Sequence, residues 1–370
     1  GIRSTAPVDD AGGRAPARSS RAPMTSGNDS NEGGDGDDHD DEDNSRSAGA
    51  ASKSEMDEAR SNNSDKDDEV FDDDDTISDD KGSSGDALPF RIIVLTQRRH
   101  WSLRRLLRSV DGADYSSAGP GGVRLEIRVD HALSADHNRT VEIARRFDFR
   151  HGTKEVIELN STAGLQYAWF EAWTPSSDRE RAVILEDDME LSPLWFAWMR
   201  RAWDEYGGRS DLGGMSLCRQ RLRASDGAHR MFQSDAPFLY RIPGSFGFSP
   251  HARHWRRFVE WVRGLDDLRS VNLDVEGTVT TEWHRSQPDS WEQFWIWWCF
   301  RKNRKRKLYT LYVHSRTGAL IGHWAEPGVH ASEPARINDN PLNMTEAVLE
   351  RFPKELEHYG WDFELEDTTR

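Results

Sequence analysis

The chain has 370 residues, with 65 Asp/Glu against 49 Lys/Arg and a formal net charge of −16. That charge is confined to one end: residues 1–87 hold 25 acidic and 9 basic residues, whereas residues 88–370 hold 40 of each, so the average says nothing about the surface of the larger part. No apolar run reaches about 18 residues, which excludes a membrane-spanning helix within the chain. Because the chain begins with Gly1, membrane attachment is expected only through a type II anchor upstream of it.

Taken in chain order, residues 1–87 are rich in Asp, Ser, Gly and Asn, including the runs Asp37-Asp38-His39-Asp40-Asp41-Glu42-Asp43 and Asp72-Asp73-Asp74-Asp75. With so few apolar residues to offset chain entropy, this segment is expected to be a disordered stalk, tether or solvated tail. The Asp runs lack the flanking amphipathic helices and the spaced Gly and Glu of an EF-hand. All 15 Trp lie beyond it. The remaining residues, about 280, suffice for a substantial core. They are expected to divide into a catalytic domain over 88–335 and a C-terminal extension over 336–370.

Residues 90–95 predict a first strand ending at Thr96-Gln97-Arg98-Arg99, followed by a helix on the spacing of Leu103, Leu106, Leu107 and Val110. Residues 123–129 predict a second strand that stops at Asp130. A helix carrying Val141, Ile143, Ala144 and Phe147 follows, then a strand over 155–159 and a helix over 165–173. Val183-Ile184-Leu185 reads as a buried strand running into Glu186-Asp187-Asp188. Ser192 and Pro193 then suit the N-cap and first position of a helix continuing over 194–206. Alternation of strands and helices implies an α/β fold with a mostly parallel, Rossmann-like sheet flanked by helices. Further on, residues 215–217 read as a strand and 244–248 as a Gly/aromatic turn. Trp291, Trp295 and Trp298 share one helical face, expected to be core, and the basic run 301–307 follows. That run has no patterned aromatics or zinc ligands, so nucleic acid is not expected as a partner. Cys218 and Cys299 are expected to be buried free thiols. Sequons at Asn28, Asn62, Asn138, Asn160 and Asn343 permit a secretory-pathway lumen.

In open α/β sheets ligands bind at the carboxyl ends of the strands. Arg98, Asp130 and Glu186-Asp187-Asp188 would converge there, bringing a cation for phosphates, a carboxylate for a base or ribose, and oxygen ligands for a hard divalent ion. The same acidic run also suits a solvated loop before a helix. Walker A, GxGxxG and G-x-S-x-G sequences are absent, which argues against kinase, dinucleotide and hydrolase chemistry.

The run Glu186-Asp187-Asp188-Met189-Glu190-Leu191-Ser192-Pro193-Leu194-Trp195-Phe196 resembles the EDD-L-E-x-A-P-x-F-F segment of the eukaryotic N-acetylglucosaminyltransferase I family, which includes protein O-mannose N-acetylglucosaminyltransferase-like enzymes. Thinner similarities cover Val129-Asp130, residues 238–248, and Ser315-Arg316-Thr317 with Gly322. The resemblance implies a GT-A fold with a smaller C-terminal acceptor-side subregion. It also implies an inverting, metal-dependent transferase of a Golgi lumen that moves N-acetylglucosamine from a UDP-sugar to a glycan or glycoprotein. By the same resemblance Asp188 is the ligand of Mn²⁺ (or Mg²⁺), Glu186 and Asp187 contact the donor sugar and ribose, Asp130 holds the uracil end, and Arg98 holds the nucleotide.

The family places its catalytic base in a W-D-D-W segment. Here the corresponding stretch is Asp289-Ser290-Trp291-Glu292-Gln293-Phe294-Trp295, a departure that makes Glu292 the first candidate base and Asp289 the second. His314, His323 and His330 are read as surface or core histidines, with His323 also placed to reach a metal. Two other readings are a family-2-like GT-A transferase with another sugar nucleotide, and a catalytically silent glycan-binding relative.

Overall fold

The computed structural model describes residues 88–228, 236–302, 307–313, 319–323, 326 and 344–367. The acidic segment 1–87, residues 303–306 of the basic run, Ser315-Arg316-Thr317, His314, His330 and the 335/336 boundary lie outside the described residues.

Two apolar runs set the centre of the fold. Strands β1 (Phe90–Thr96) and β4 (Arg181–Glu186) pair in parallel, with Leu95 opposite Glu186. Successive side chains of a strand point to opposite faces, and both faces are covered here. Ile92, Val94, Val183 and Leu185 enter one apolar cluster, while Ile93, Leu95, Ala182 and Ile184 enter another. A strand buried on both sides must be apolar throughout, which is why these two read as unbroken runs.

Strands β2 (Val123–Val129) and β3 (Gly152–Glu158) extend the parallel sheet beyond β1. Helices α1 (His100–Asp111) and α2 (Ala135–Arg146) form the crossovers between them. On the other side of β4 lie β8 (Phe248–Pro250), β6 (Leu212–Ser216), β9 (Tyr309–Tyr312), β7 (Phe238–Tyr240) and β11 (His358–Tyr359). The full order is β11-β7-β9-β6-β8-β4-β1-β2-β3. Five of its eight pairings are parallel, so the mostly parallel α/β sheet flanked by helices expected of a GT-A fold is present.

The first apolar cluster lies under α1, α2 and α4 (Trp195–Tyr206). The second lies under α3 (Leu165–Phe170), α5 (Ala252–Arg263) and α7 (Glu292–Trp297), which continues as a π-helical turn, Trp298–Lys302. Trp291, Trp295 and Trp298 are core residues of this cluster, as their spacing predicts, and Trp295 stacks on Trp298 at 5.3 Å. The described helices are completed by α6 (Val279–Ser286) and α8 (Glu346–Leu349). None is long and apolar enough to cross a membrane. Cys218 and Cys299 are both free thiols.

The strand read over 215–217 is β6, which runs from Leu212 to Ser216, and three further boundaries differ from expectation. β3 begins at Gly152 rather than 155, and α3 ends at Phe170 rather than 173. The third difference bears on the site. Ser192 does not cap the helix: α4 begins at Trp195 with Leu194 at the N-cap. Immediately after the acidic run, β5 (Met189–Leu191) pairs antiparallel with β10 (Leu320–Gly322). The chain must leave that small sheet before it can turn helical. Ser192 therefore belongs to the sheet's end, donating its backbone N–H to the Ala319 carbonyl at 2.8 Å.

Candidate functional site

Glu186 closes β4 at the carboxyl edge of the parallel sheet, and Asp187 and Asp188 form the turn into β5. All three carboxylates are held by neighbours from other elements. Thr96, the last residue of β1, donates its hydroxyl to Asp187 Oδ2 at 2.6 Å. Arg99 reaches back from the following turn, with Nη2 2.5 Å from Asp187 Oδ1 and Nη1 2.9 Å from Asp188 Oδ2. Glu186 accepts from Trp169 Nε1 at 3.1 Å.

The electrostatics follow from that crowding. Burial first, then repulsion from Asp188 and Glu292, push the Glu186 carboxyl up to about 8. Burial also outweighs Arg99 at Asp187 and lifts it to about 6. At Arg99 the balance is reversed: burial disfavours its charge, but Asp187, Asp188 and Glu186 together outweigh it and raise the guanidinium above its usual range. Two buried oxygens of the run, Asp187 Oδ1 and Asp188 Oδ1, accept no hydrogen bond among the described residues, and Arg99 covers the first as an ion pair.

An unpartnered buried carboxylate oxygen is costly unless something fills it. At the open edge of the sheet, beside two further acids, Asp188 Oδ1 suits a hard divalent cation, which would also relieve the repulsion on Glu186. Among the described residues no three His, Cys, Asp or Glu side chains gather as a metal cage. A cation at Asp188 would therefore draw the rest of its shell from ligand oxygens and water, as ions bridging phosphates do. The His323 ring is engaged elsewhere: its Nε2 lies 2.7 Å from Glu190 Oε2. Its backbone N–H donates to the Asp188 carbonyl at 2.6 Å, so His323 braces the turn from behind.

The other predicted residues fall at different distances from this centre. Asp130, at the end of β2, is buried and fully engaged. Oδ1 accepts from the N–H groups of His131 at 2.9 Å and Ala163 at 2.7 Å, and Oδ2 accepts from Gly164 N–H at 3.1 Å and Gln97 Nε2 at 3.2 Å. Its carboxylate thus fixes the turn that launches α3, where Gly164 has the positive φ of 79°. Arg98 is exposed at the strand-to-helix turn, and its neighbour Arg99 is the arginine that grips the acidic run. Glu292, half-buried at the start of α7, is close enough to raise Glu186. Asp289 projects from the preceding loop, 64 % exposed, with Arg269 3.8 Å away. Glu292 is therefore within electrostatic reach of Glu186, whereas Asp289 lies at the surface. Sequence reading missed Arg99, Gln97 and Trp169. For Arg99 the only signal was the Arg98-Arg99 pair itself.

Residues 101–264, less than half of the chain, match the family model described as "SPBC1E8.03c C-terminal domain". No curated protein matches. Among solved structures, the chain is similar to S. aureus TarS 1-349, at 13% identity and a TM-score of 0.34 over 48% of this chain and 49% of that one. The same protein in complex with UDP-GlcNAc gives 12% identity, 48% of each chain and a TM-score of 0.34. Mannosyltransferase PcManGT from Pyrobaculum calidifontis, in complex with GDP-Man and Mn2+, gives 14% identity, 50% of each chain and a TM-score of 0.33. The match spans about half the length of these solved chains.

Proposed function

We propose that the chain is a metal-dependent, inverting glycosyltransferase. It moves a sugar, N-acetylglucosamine in our reading, from a UDP donor to a glycan or glycoprotein acceptor in a Golgi lumen. The observation that carries this reading is Asp188 Oδ1, buried and unpartnered at the carboxyl edge of the parallel sheet, next to two further carboxylates.

In this reading Asp188 holds Mn²⁺ or Mg²⁺ through that oxygen, and the bound cation neutralises the departing diphosphate. Glu186 and Asp187 face the donor sugar and ribose. Arg99 keeps both aspartates in place, Asp130 serves the uracil end by fixing the turn at Ala163 and Gly164, and exposed Arg98 meets the nucleotide. Glu292 takes the proton of the attacking acceptor hydroxyl. Calorimetric titration of UDP with and without Mn²⁺, followed by a panel of sugar nucleotides scored for turnover, tests the proposal. UDP binding should depend on Mn²⁺ and should be lost in Asp188→Ala. Absence of any metal-dependent nucleotide binding would end the metal-dependent transferase reading.

One observation favours a second reading. Arg99 already pairs with both Asp187 and Asp188, as it would in a catalytically silent glycan-binding relative or in a transferase that needs no metal. Binding of UDP that is indifferent to both Mn²⁺ and Asp188→Ala would select the latter, and sugar binding without nucleotide binding the former.

A further inference from the structure

A cavity of about 390 Å³ opens beside Glu292, between segment 218–222, turn 242–246 and helices α6 and α7. Its wall has three chemical characters. Trp283, 46 % exposed, and Phe246 offer aromatic surface. Gln293, 2 % exposed, donates its amide to the Leu273 carbonyl at 2.7 Å, yet its Oε1 has no partner among the described residues. Two guanidinium groups, Arg219 and Arg221, also line the space. Burial first and the Arg221 charge second pull the Arg219 guanidinium below its usual range, so the two cations feel each other. Arg221 has no ion-pair partner among the described residues.

Each character suits a different part of one kind of ligand. Aromatic surface packs against the apolar face of a sugar ring. An unpartnered buried amide oxygen calls for a hydroxyl donor. Paired guanidiniums favour a carboxylate or phosphate, which they can grip with two parallel hydrogen bonds. The cavity adjoins Glu292, which is in turn electrostatically in touch with Glu186. A ligand there would sit across Glu292 from the acidic run.

We propose that this cavity is the acceptor subsite and that it selects a sugar carrying an anionic group, held by Arg219 and Arg221. This rests on the transferase reading for the word acceptor, but the anion selectivity can be read without turnover.

The test uses the full chain in Mn²⁺ and UDP, titrated calorimetrically with three matched probes: p-nitrophenyl glucoside, p-nitrophenyl glucuronide and p-nitrophenyl glucoside 6-phosphate. At least one charged probe should bind about tenfold more tightly than the neutral one, in line with the gain from a charge-assisted bidentate contact. The tighter of the two names the source of the charge, carboxylate or phosphate. The preference should shrink severalfold in Arg221→Gln. Should that variant fail to fold, raising the salt from 50 to 300 mM with the parent protein should shrink it likewise. Equal binding of all three probes, or a preference indifferent to both Arg221→Gln and salt, overturns the proposal. A protein that binds no nucleotide with Mn²⁺ yet keeps the anion preference would fail as a transferase while retaining the anionic sugar site.

Discussion

Trp169 stacks on Trp291 with ring centroids 4.0 Å apart and planes 17° from parallel, while its Nε1–H donates to Glu186. One side chain thus ties the end of β4 to the residue preceding Glu292, linking the proposed donor and base positions through a rigid aromatic pair. Trp169→Phe keeps an aromatic ring but strands the Glu186 oxygen, and should cost about 1–3 kcal/mol. Trp169→Ala also empties the stack and should cost about 3–5 kcal/mol. Urea unfolding followed by tryptophan fluorescence would check both, and equal losses would show that the stack contributes nothing beyond the hydrogen bond.

Arg99 sits between two buried carboxylates, so removing it leaves like charges uncompensated. Arg99→Ala should destabilise the fold by about 3–5 kcal/mol. If Asp188 binds a cation, Mn²⁺ should recover part of that loss, because a ligand that binds only the folded state stabilises it. The rise in melting temperature on adding Mn²⁺ should therefore be larger for Arg99→Ala than for the parent. The same rise in both would disconnect Arg99 from the cation.

Glu292 and Asp289 can be separated kinetically. Glu292→Gln should lower turnover at least about 100-fold, the scale of a lost general base, with Mn²⁺-dependent UDP binding retained. Asp289→Asn, on the surface, should stay close to the parent. The reverse pattern would move the base to Asp289.

His251, just ahead of α5, donates from Nε2 to the Gly207 carbonyl at 3.2 Å. Burial first and the Arg181 charge second hold its pKa down at about 4. In the unfolded chain the ring titrates near about 6.5. Between these values the unfolded state binds more protons than the folded one. Stability is therefore full above about pH 6.5 and declines as pH falls toward 4, by up to about 1.4 kcal/mol per pH unit. Urea midpoints at several pH values would show a shallower decline for His251→Gln.

Gly244 lines the cavity and packs against the end of β6. A Cβ there would press on Cys218 Sγ and lie 2.8 Å from Ser216 Oγ. Gly244→Ala should cost about 1–3 kcal/mol through overpacking, and Cys218→Ala should relieve part of it in the double variant. Full additivity would show that Cys218 is not the obstacle.

How much of this was legible in the sequence depended on how local each cause is. β1 and β4 were readable because a strand buried on both faces must be apolar at every position, and the Trp291 helix because its core face repeats at helical spacing. The acidic run was readable because it terminates such a strand. Arg99 was not, since it lies in a turn where no periodicity says which of two arginines points inward. The occupation of both Asp130 oxygens was equally hidden: Ala163 and Gly164 come from the far end of β3. β5 went unnoticed because its three residues have no strand signal without β10 beside them, and so Ser192 looked like a helix cap.

The pairing of β5 with β10 bears on how the protein matures. Glu190 and His323, which meet across it, are 133 positions apart. A nascent chain that has emerged only as far as β9 already possesses the strands β1 to β4 and all three acids, yet lacks the hydrogen bond from His323 to the Asp188 carbonyl. Contacts of such long range form late, after the entropy of closing the intervening loop has been met. The brace behind the acidic turn is thus completed only when the second half of the polypeptide has docked. Partly synthesised or C-terminally truncated chains would carry the carboxylates, with Thr96 and Arg99 beside them, but without the β10 backing and the His323 N–H.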